Sequence, residues 1–138
     1  MTTTSKAELD NLLEQARVAA ANSYSPYSGF RVGAALLLSG GPVVTGTNVE
    51  NVSFGLTICA ERAALVRAVS EFGPSIRIVA AAIANLNHAA SPPCGACRQM
   101  LVEFAEPNAS IIFPAMAGTT TMRFDEVLPL GFDMKLKS

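Results

Sequence analysis

Every cysteine of the chain falls in two short segments, Cys59-Ala60-Glu61 and Pro93-Cys94-Gly95-Ala96-Cys97. Any fold has to bring those segments together or leave three reactive thiols unexplained. Each segment opens a stretch that reads as helix: Ala60, Ala63, Ala64, Leu65 and Ala68 follow the first, and residues 94–104 make up the second. Cys94 and Cys97 are three apart, so both sulfurs lie on one face of a first helical turn and can grip a single ion. Helix N-termini favour negative charge, which makes thiolates easier to form at all three positions. An odd number of cysteines cannot all pair within one chain, and nothing points to an oxidising compartment. Three thiolates around a tetrahedral Zn²⁺ leave one position open, the stoichiometry of a catalytic site whose last ligand is water. Glu61, two residues beyond Cys59, then stands near that water without being a ligand, as a proton shuttle must.

Competing readings exist. Taken by itself, Cys94-Gly95-Ala96-Cys97 also suits a structural zinc half-site or a redox pair. A structural site needs a fourth protein ligand, and the lone histidine, His88, precedes the motif without a compelling spacing. A redox pair gives Cys59-Ala60-Glu61 no role.

With 138 residues the chain suffices for one domain, residues 1–138, and hardly for two. Ser5-Lys6-Ala7-Glu8 has capping-box spacing, and Leu9, Leu12, Leu13, Ala16, Ala19 and Ala20 then repeat at helical intervals, predicting a helix over about 6–22. Phe30 to Leu38 and Val43 to Thr47, joined by Ser39-Gly40-Gly41-Pro42, read as a hairpin. Ile76 to Ala84 is an unbroken apolar run that suits a central strand covered on both faces. Ile111 to Phe113 and Thr119 to Phe124 read as short strands about a turn at Gly118, with a terminal turn at 125–128. The order α-β-β-α-β-α-β-β predicts an α/β fold, a three-layer α-β-α sandwich around a central mixed sheet.

The net charge of −1, with only 15% charged residues, excludes a long electrostatic track for a nucleic acid. No stretch reaches the ~20 apolar residues of a membrane helix, and the N-terminus lacks an apolar core, so the expected location is the cytoplasm with no membrane partner.

Four blocks occur in order: Tyr24-Ser25-Pro26-Tyr27-Ser28-Gly29-Phe30-Arg31-Val32-Gly33-Ala34-Ala35, Asn48-Val49-Glu50-Asn51, Thr57-Ile58-Cys59-Ala60-Glu61-Arg62-Ala63-Ala64, and Pro93-Cys94-Gly95-Ala96-Cys97-Arg98-Gln99. On them the chain resembles the small homotetrameric zinc-dependent cytidine deaminases over nearly its whole length, an all-cysteine form of the zinc-deaminase signature. The resemblance implies hydrolysis of cytidine and 2′-deoxycytidine to the uridines with release of ammonia, in pyrimidine salvage. One zinc per subunit would be held by Cys59, Cys94 and Cys97, with Glu61 moving protons. Asn48 and Glu50 match the ribose-contacting pair, Phe30 the aromatic beside the base, and Val49 and Ala60 are carried over as substrate contacts. Val127-Leu128-Pro129-Leu130-Gly131-Phe132 resembles the tail whose aromatic closes a neighbouring subunit's site, so Phe132 is expected to act across an interface. Arg62 matches an arginine that donates to a ligand sulfur and offsets the −1 of Zn²⁺ with three thiolates.

The chain departs from the family pattern at Phe54, where many relatives have tyrosine, at Pro92, and in the tail 133–138. Methylated or larger N4-substituted cytosine nucleosides, of the blasticidin S kind, therefore remain open as substrates, as does a non-catalytic zinc module.

Overall fold

The computed structural model describes residues 4–134. Helix α1 (Lys6–Ala20) starts at Ser5, whose hydroxyl accepts the Glu8 amide at 3.1 Å while the Glu8 carboxylate accepts the Ser5 amide at 3.0 Å. This reciprocal cap satisfies two backbone donors that a helix start otherwise leaves free. The Leu9, Leu12, Leu13, Ala16 and Ala20 stripe is buried. Strands β1 (Val32–Leu38) and β2 (Val43–Thr47) form the hairpin, with Gly40 and Gly41 at positive φ in its turn.

After a single 3₁₀ turn at Phe54–Leu56 come α2 (Ala60–Phe72), β3 (Ile78–Asn85), α3 (Gly95–Val102), β4 (Ala105–Ala115), β5 (Gly118–Arg123) and the short α4 (Phe124–Val127). The sheet order is β2-β1-β3-β4-β5. Only β3 and β4 run parallel; the other neighbours are antiparallel, so the sheet is mixed as expected. Along β3, Ala80, Ala82 and Ala84 join the α1 layer, whereas Ala81 and Ile83 join the layer of α2 and α3. A strand buried on both faces has to read as a continuous apolar run, and this one does.

Two glycines set how closely the layers approach. A Cβ at Gly33 would strike the backbone of Ala16 and Ala20 on α1, and one at Gly46 would strike the backbone of Ala60 and Ala64 on α2. The hairpin therefore sits hard against both helices, and α2 is held by its first turns, where Cys59 lies.

Several boundaries differ from the sequence reading. Helix α1 stops two residues early, and β1 starts at Val32 rather than Phe30. The Phe30 amide bonds the Ser28 hydroxyl and its carbonyl accepts from the Asn48 side chain, so neither group joins the ladder. Strand β4 is far longer than Ile111–Phe113. Its pairing with β3 jumps from Ile78↔Ala105 to Ala80↔Ser110. Pro107 falls inside that bulge, where no ladder donor is required. The terminal turn is the helix α4, begun one residue sooner. Of the tail 133–138, residues 135–138 lie outside the described residues.

Candidate active site

Cys59 is the N-cap of α2 and Cys94 the N-cap of α3, while Cys97 lies in the first turn of α3 and is fully buried. Packing α2 beside α3 puts the two helix starts together. Cys59 Sγ is 3.9 Å from Cys94 Sγ, Cys94 Sγ is 3.3 Å from Cys97 Sγ, and all three sulfurs lie within 4.8 Å of one another. Sulfurs bound to one Zn²⁺ at about 2.3 Å in tetrahedral directions stand about 3.8 Å apart, so the three donors fit that ion. Cys59 is half-buried and Cys94 exposed, which leaves the cluster open on one side. His88 is exposed, has φ +54°, and lines a separate cavity of about 680 Å³ with Leu13, Arg17 and Met116. It is not among the groups that converge on the ligand cluster.

The three thiols share charge. Bonds from Cys97, Arg62 and Cys94 lower the Cys59 thiol to about 5 against its burial, with the Cys97 bond the largest effect. Cys97 is pushed upward because it bonds the Cys59 sulfur and is buried. Arg62 Nη2 reaches Cys59 Sγ at 3.6 Å and donates to the Thr57 carbonyl at 3.2 Å. Among the described residues its Nε and the Thr57 hydroxyl are buried without a partner.

Glu61, in the first turn of α2, is 6% exposed. Burial is the main reason its carboxyl is raised to about 7; its own backbone amide opposes that and the Cys59 charge adds to it. An acid–base group works best when its pKa is near the working pH.

Asn48 and Glu50 are 7% and 4% exposed, and both are already engaged by the segment 23–32. Asn48 Oδ1 accepts from Ser23 Oγ at 2.5 Å and the Val32 amide at 3.0 Å, and Nδ2 donates to the Phe30 carbonyl at 2.8 Å. Glu50 accepts the amides of Tyr27 and Ser28 on Oε1 at 3.0 and 3.1 Å and the Ser28 hydroxyl on Oε2. An amide oxygen has two lone pairs and a carboxylate about four, so Asn48 retains one free N–H and Glu50 about one acceptor position. The pair presents a donor beside an acceptor. Val49, between them, is exposed, but its N–H and C=O both pair with Ile58, so only its side chain is free for a ligand. That pairing fixes residues 48–50 against the residue preceding Cys59. Ala60 is fully buried at the start of α2, and Phe30 is half-buried against the α2–α3 core.

Phe132 lies on the surface of its own chain. It is 72% exposed and lines a groove of about 520 Å³ with Val102, Phe124 and Met134. The sequence reading missed the residues that hold these groups: Ser23 and Ser28 for the Asn48–Glu50 pair, and Arg98 and Gln99 for the C-terminal segment. Ser28 was visible only as part of a turn, and Gln99 only as the end of a motif.

Residues 6–113 match the family described as the cytidine and deoxycytidylate deaminase zinc-binding region. The chain belongs to this deaminase family. Among family members, it is 47% identical over 107 residues to a probable cytidine deaminase of Dictyostelium discoideum, covering 78% of this chain and 72% of that one. A cytidine deaminase of Halalkalibacterium halodurans is 41% identical over 122 residues, covering 88% and 91%. The crystal structure of the Mycobacterium tuberculosis cytidine deaminase superposes with a TM-score of 0.78 at 41% identity, covering 91% of this chain and 97% of that one. The deaminase fold and the zinc-type thiol cluster therefore occur together here, as the sequence reading expected. No helix among the described residues is long and apolar enough to cross a membrane.

Proposed function

We propose that the protein hydrolyses cytidine and 2′-deoxycytidine to uridine and 2′-deoxyuridine, releasing ammonia, as a zinc enzyme of pyrimidine salvage in the reducing cytoplasm. The carrying observation is a buried carboxyl, Glu61, poised near neutrality two residues from a three-thiol cluster at two helix starts. Zinc held by Cys59, Cys94 and Cys97 would supply a Lewis acid that brings a water's pKa toward 7. Glu61 takes a proton from the water whose oxygen replaces N4 and passes it to N3 of the pyrimidine. It then takes the remaining proton from that oxygen, now bonded to C4, and delivers it to N4, and the C4–N4 bond breaks to give ammonia and the C4 carbonyl.

Arg62 donates to the Cys59 sulfur and would offset some of the negative charge that three thiolates bring to a bound zinc. Phe30 packs beside the base. Asn48 donates to a ribose oxygen and Glu50 accepts from a ribose hydroxyl, using the two positions that the segment 23–32 leaves free. The side chain of Val49 and the start of α2 at Ala60 complete the substrate contacts.

Exposed Val49, Val52, Phe54, Leu56 and Ile58 form an apolar stretch beside this site. A stretch of that kind is the surface a second subunit covers. It supports a homotetramer in which Phe132 of one chain closes the site of another.

The deciding experiment incubates zinc-loaded protein with cytidine, 2′-deoxycytidine, N4-methylcytidine, adenosine, guanosine and a cytosine-containing oligonucleotide, and measures ammonia. Release from cytidine and deoxycytidine is the expected result. No release from either, with zinc bound, overturns the reading.

A further inference from the structure

Two consecutive side chains of α3, directly after Cys97 and one turn past Cys94, hold backbone from the far end of the chain. Arg98 Nε donates to the Pro93 carbonyl at 2.7 Å, and its Nη1 donates to the Val127 carbonyl at 3.0 Å. One guanidinium thus spans the turn that carries Cys94 and the end of α4. Gln99 makes a two-point hold on a single residue: its Oε1 accepts the Phe132 amide at 3.0 Å and its Nε2 donates to the Phe132 carbonyl at 2.8 Å. A carboxamide paired in this way imitates a neighbouring β-strand, and it fixes the orientation of the peptide as well as its distance.

The segment leading to Phe132 is closely packed as well. A Cβ at Gly131 would overlap the Leu128 side chain at 2.8 Å and come within 3.7 Å of Gln99 Oε1. Meanwhile the Phe132 residue itself is 72% exposed. A chain end with an anchored backbone and an uncovered aromatic has been organised to present that ring to something else.

We propose that Gln99 is a positioning residue that sets where Phe132 is presented, with Arg98 tying that anchor to the Cys94 turn. Its effect on substrate rests on the reading, given above, that Phe132 closes a neighbouring site. Gln99 touches neither substrate nor metal. It acts through the backbone of residue 132, and because it lies on the helix begun by Cys94 and Cys97, the aromatic is registered to the same element that bears two metal ligands.

The test compares Gln99→Met, which keeps the length of the side chain and removes both bonds, with Phe132→Ala and the double variant. Zinc per chain and oligomeric mass are measured for each. With both of its bonds to residue 132 removed, Gln99→Met should raise KM for cytidine about tenfold with kcat within about twofold. Phe132→Ala should raise KM at least as far, and the double variant no further than Phe132→Ala alone. Hydrogen exchange of peptides covering residues 128–134 should quicken in Gln99→Met while β3 stays protected.

An unchanged KM in Gln99→Met beside a raised KM in Phe132→Ala overturns the positioning role. So do additive effects in the double variant, or unchanged exchange in 128–134. A wild-type KM in Phe132→Ala overturns the closure by Phe132 itself, which separates failure of the underlying reading from failure of this one.

Discussion

Glu61 and Glu50 are both buried carboxyls, yet their surroundings move them in opposite directions. Glu61 meets mostly apolar packing and a neighbouring thiolate, so its proton is held up to about 7. Glu50 is lowered, first by the Ser28 hydroxyl and also by the amides of Ser28 and Tyr27, so it stays ionised below the usual carboxylate range. One is suited to moving a proton, the other to accepting a hydrogen bond without ever donating one. Glu61→Gln should keep about one zinc per chain and lose at least ~10²-fold in kcat, the scale of a lost acid–base group. Substantial turnover in that variant, with metal analysis showing a full site, removes Glu61 from the role.

For Glu50 the sign of the pH effect follows from the direction of its shift. A folded pKa below the unfolded value of 4.5 means that the unfolded chain binds more protons in the window between them. The stability it contributes is present above that unfolded value and disappears as pH falls through the folded one. Ser28→Ala should therefore lower stability more at pH 7 than at pH 3.5 and shift the onset of acid unfolding upward, read by circular dichroism. An identical acid limb in both proteins would show that Ser28 does not hold the carboxylate.

At the scale of elements, the site depends on α2 and α3 starting side by side, and the starts are set by packing on the sheet. At Gly46, β2 lies so close to α2 that a Cβ would strike the backbone of Ala60 and Ala64. Gly46→Val should push α2 away from the hairpin, costing about 1–3 kcal/mol as overpacking does. Since Cys59 caps that helix, zinc content should fall together with the melting temperature. A normal melting temperature would mean that the two elements can separate without strain. Arg62, on the next residue of the same turn as Glu61, should matter through charge: Arg62→Gln is expected to move the pH dependence of kcat with the zinc retained, and an unmoved profile would end that account.

Half of the residues are hydrophobic and 15% are charged, and exposed apolar side chains include Val49, Val52, Phe54, Leu56 and Ile58 as well as Leu130 and Phe132. If sites are shared between subunits, Glu61→Gln and Phe132→Ala chains should complement each other. Mixed after dissociation and reassembly, each intact Glu61 can meet an intact Phe132 from a neighbour. Activity above the sum of the separate variants is the expected reading in an ammonia-release assay; a simple sum would mean that every chain completes its own site.

Local chemistry made much of this protein legible in its sequence. The cap at Ser5, the turn residues between β1 and β2, the apolar run of β3 and the spacing of the three cysteines each depend on residues a few positions apart, and each element formed, with α1 ending two residues early and β1 starting two residues late. What the tertiary structure decided depends on partners distant in the chain. Pro107 lies in a strand only because the β3–β4 register skips there. Asn48 became a donor only because Ser23 and Val32 fill both lone pairs of its oxygen. Gln99 found Phe132 only once the chain end crossed α3. Periodicity reports which face of an element is apolar; it carries no information about which lone pairs another segment will occupy. The candidate metal cluster and its neighbouring carboxyl were therefore legible in the spacing of the cysteines and Glu61, whereas the direction of each hydrogen bond around them was settled by folding.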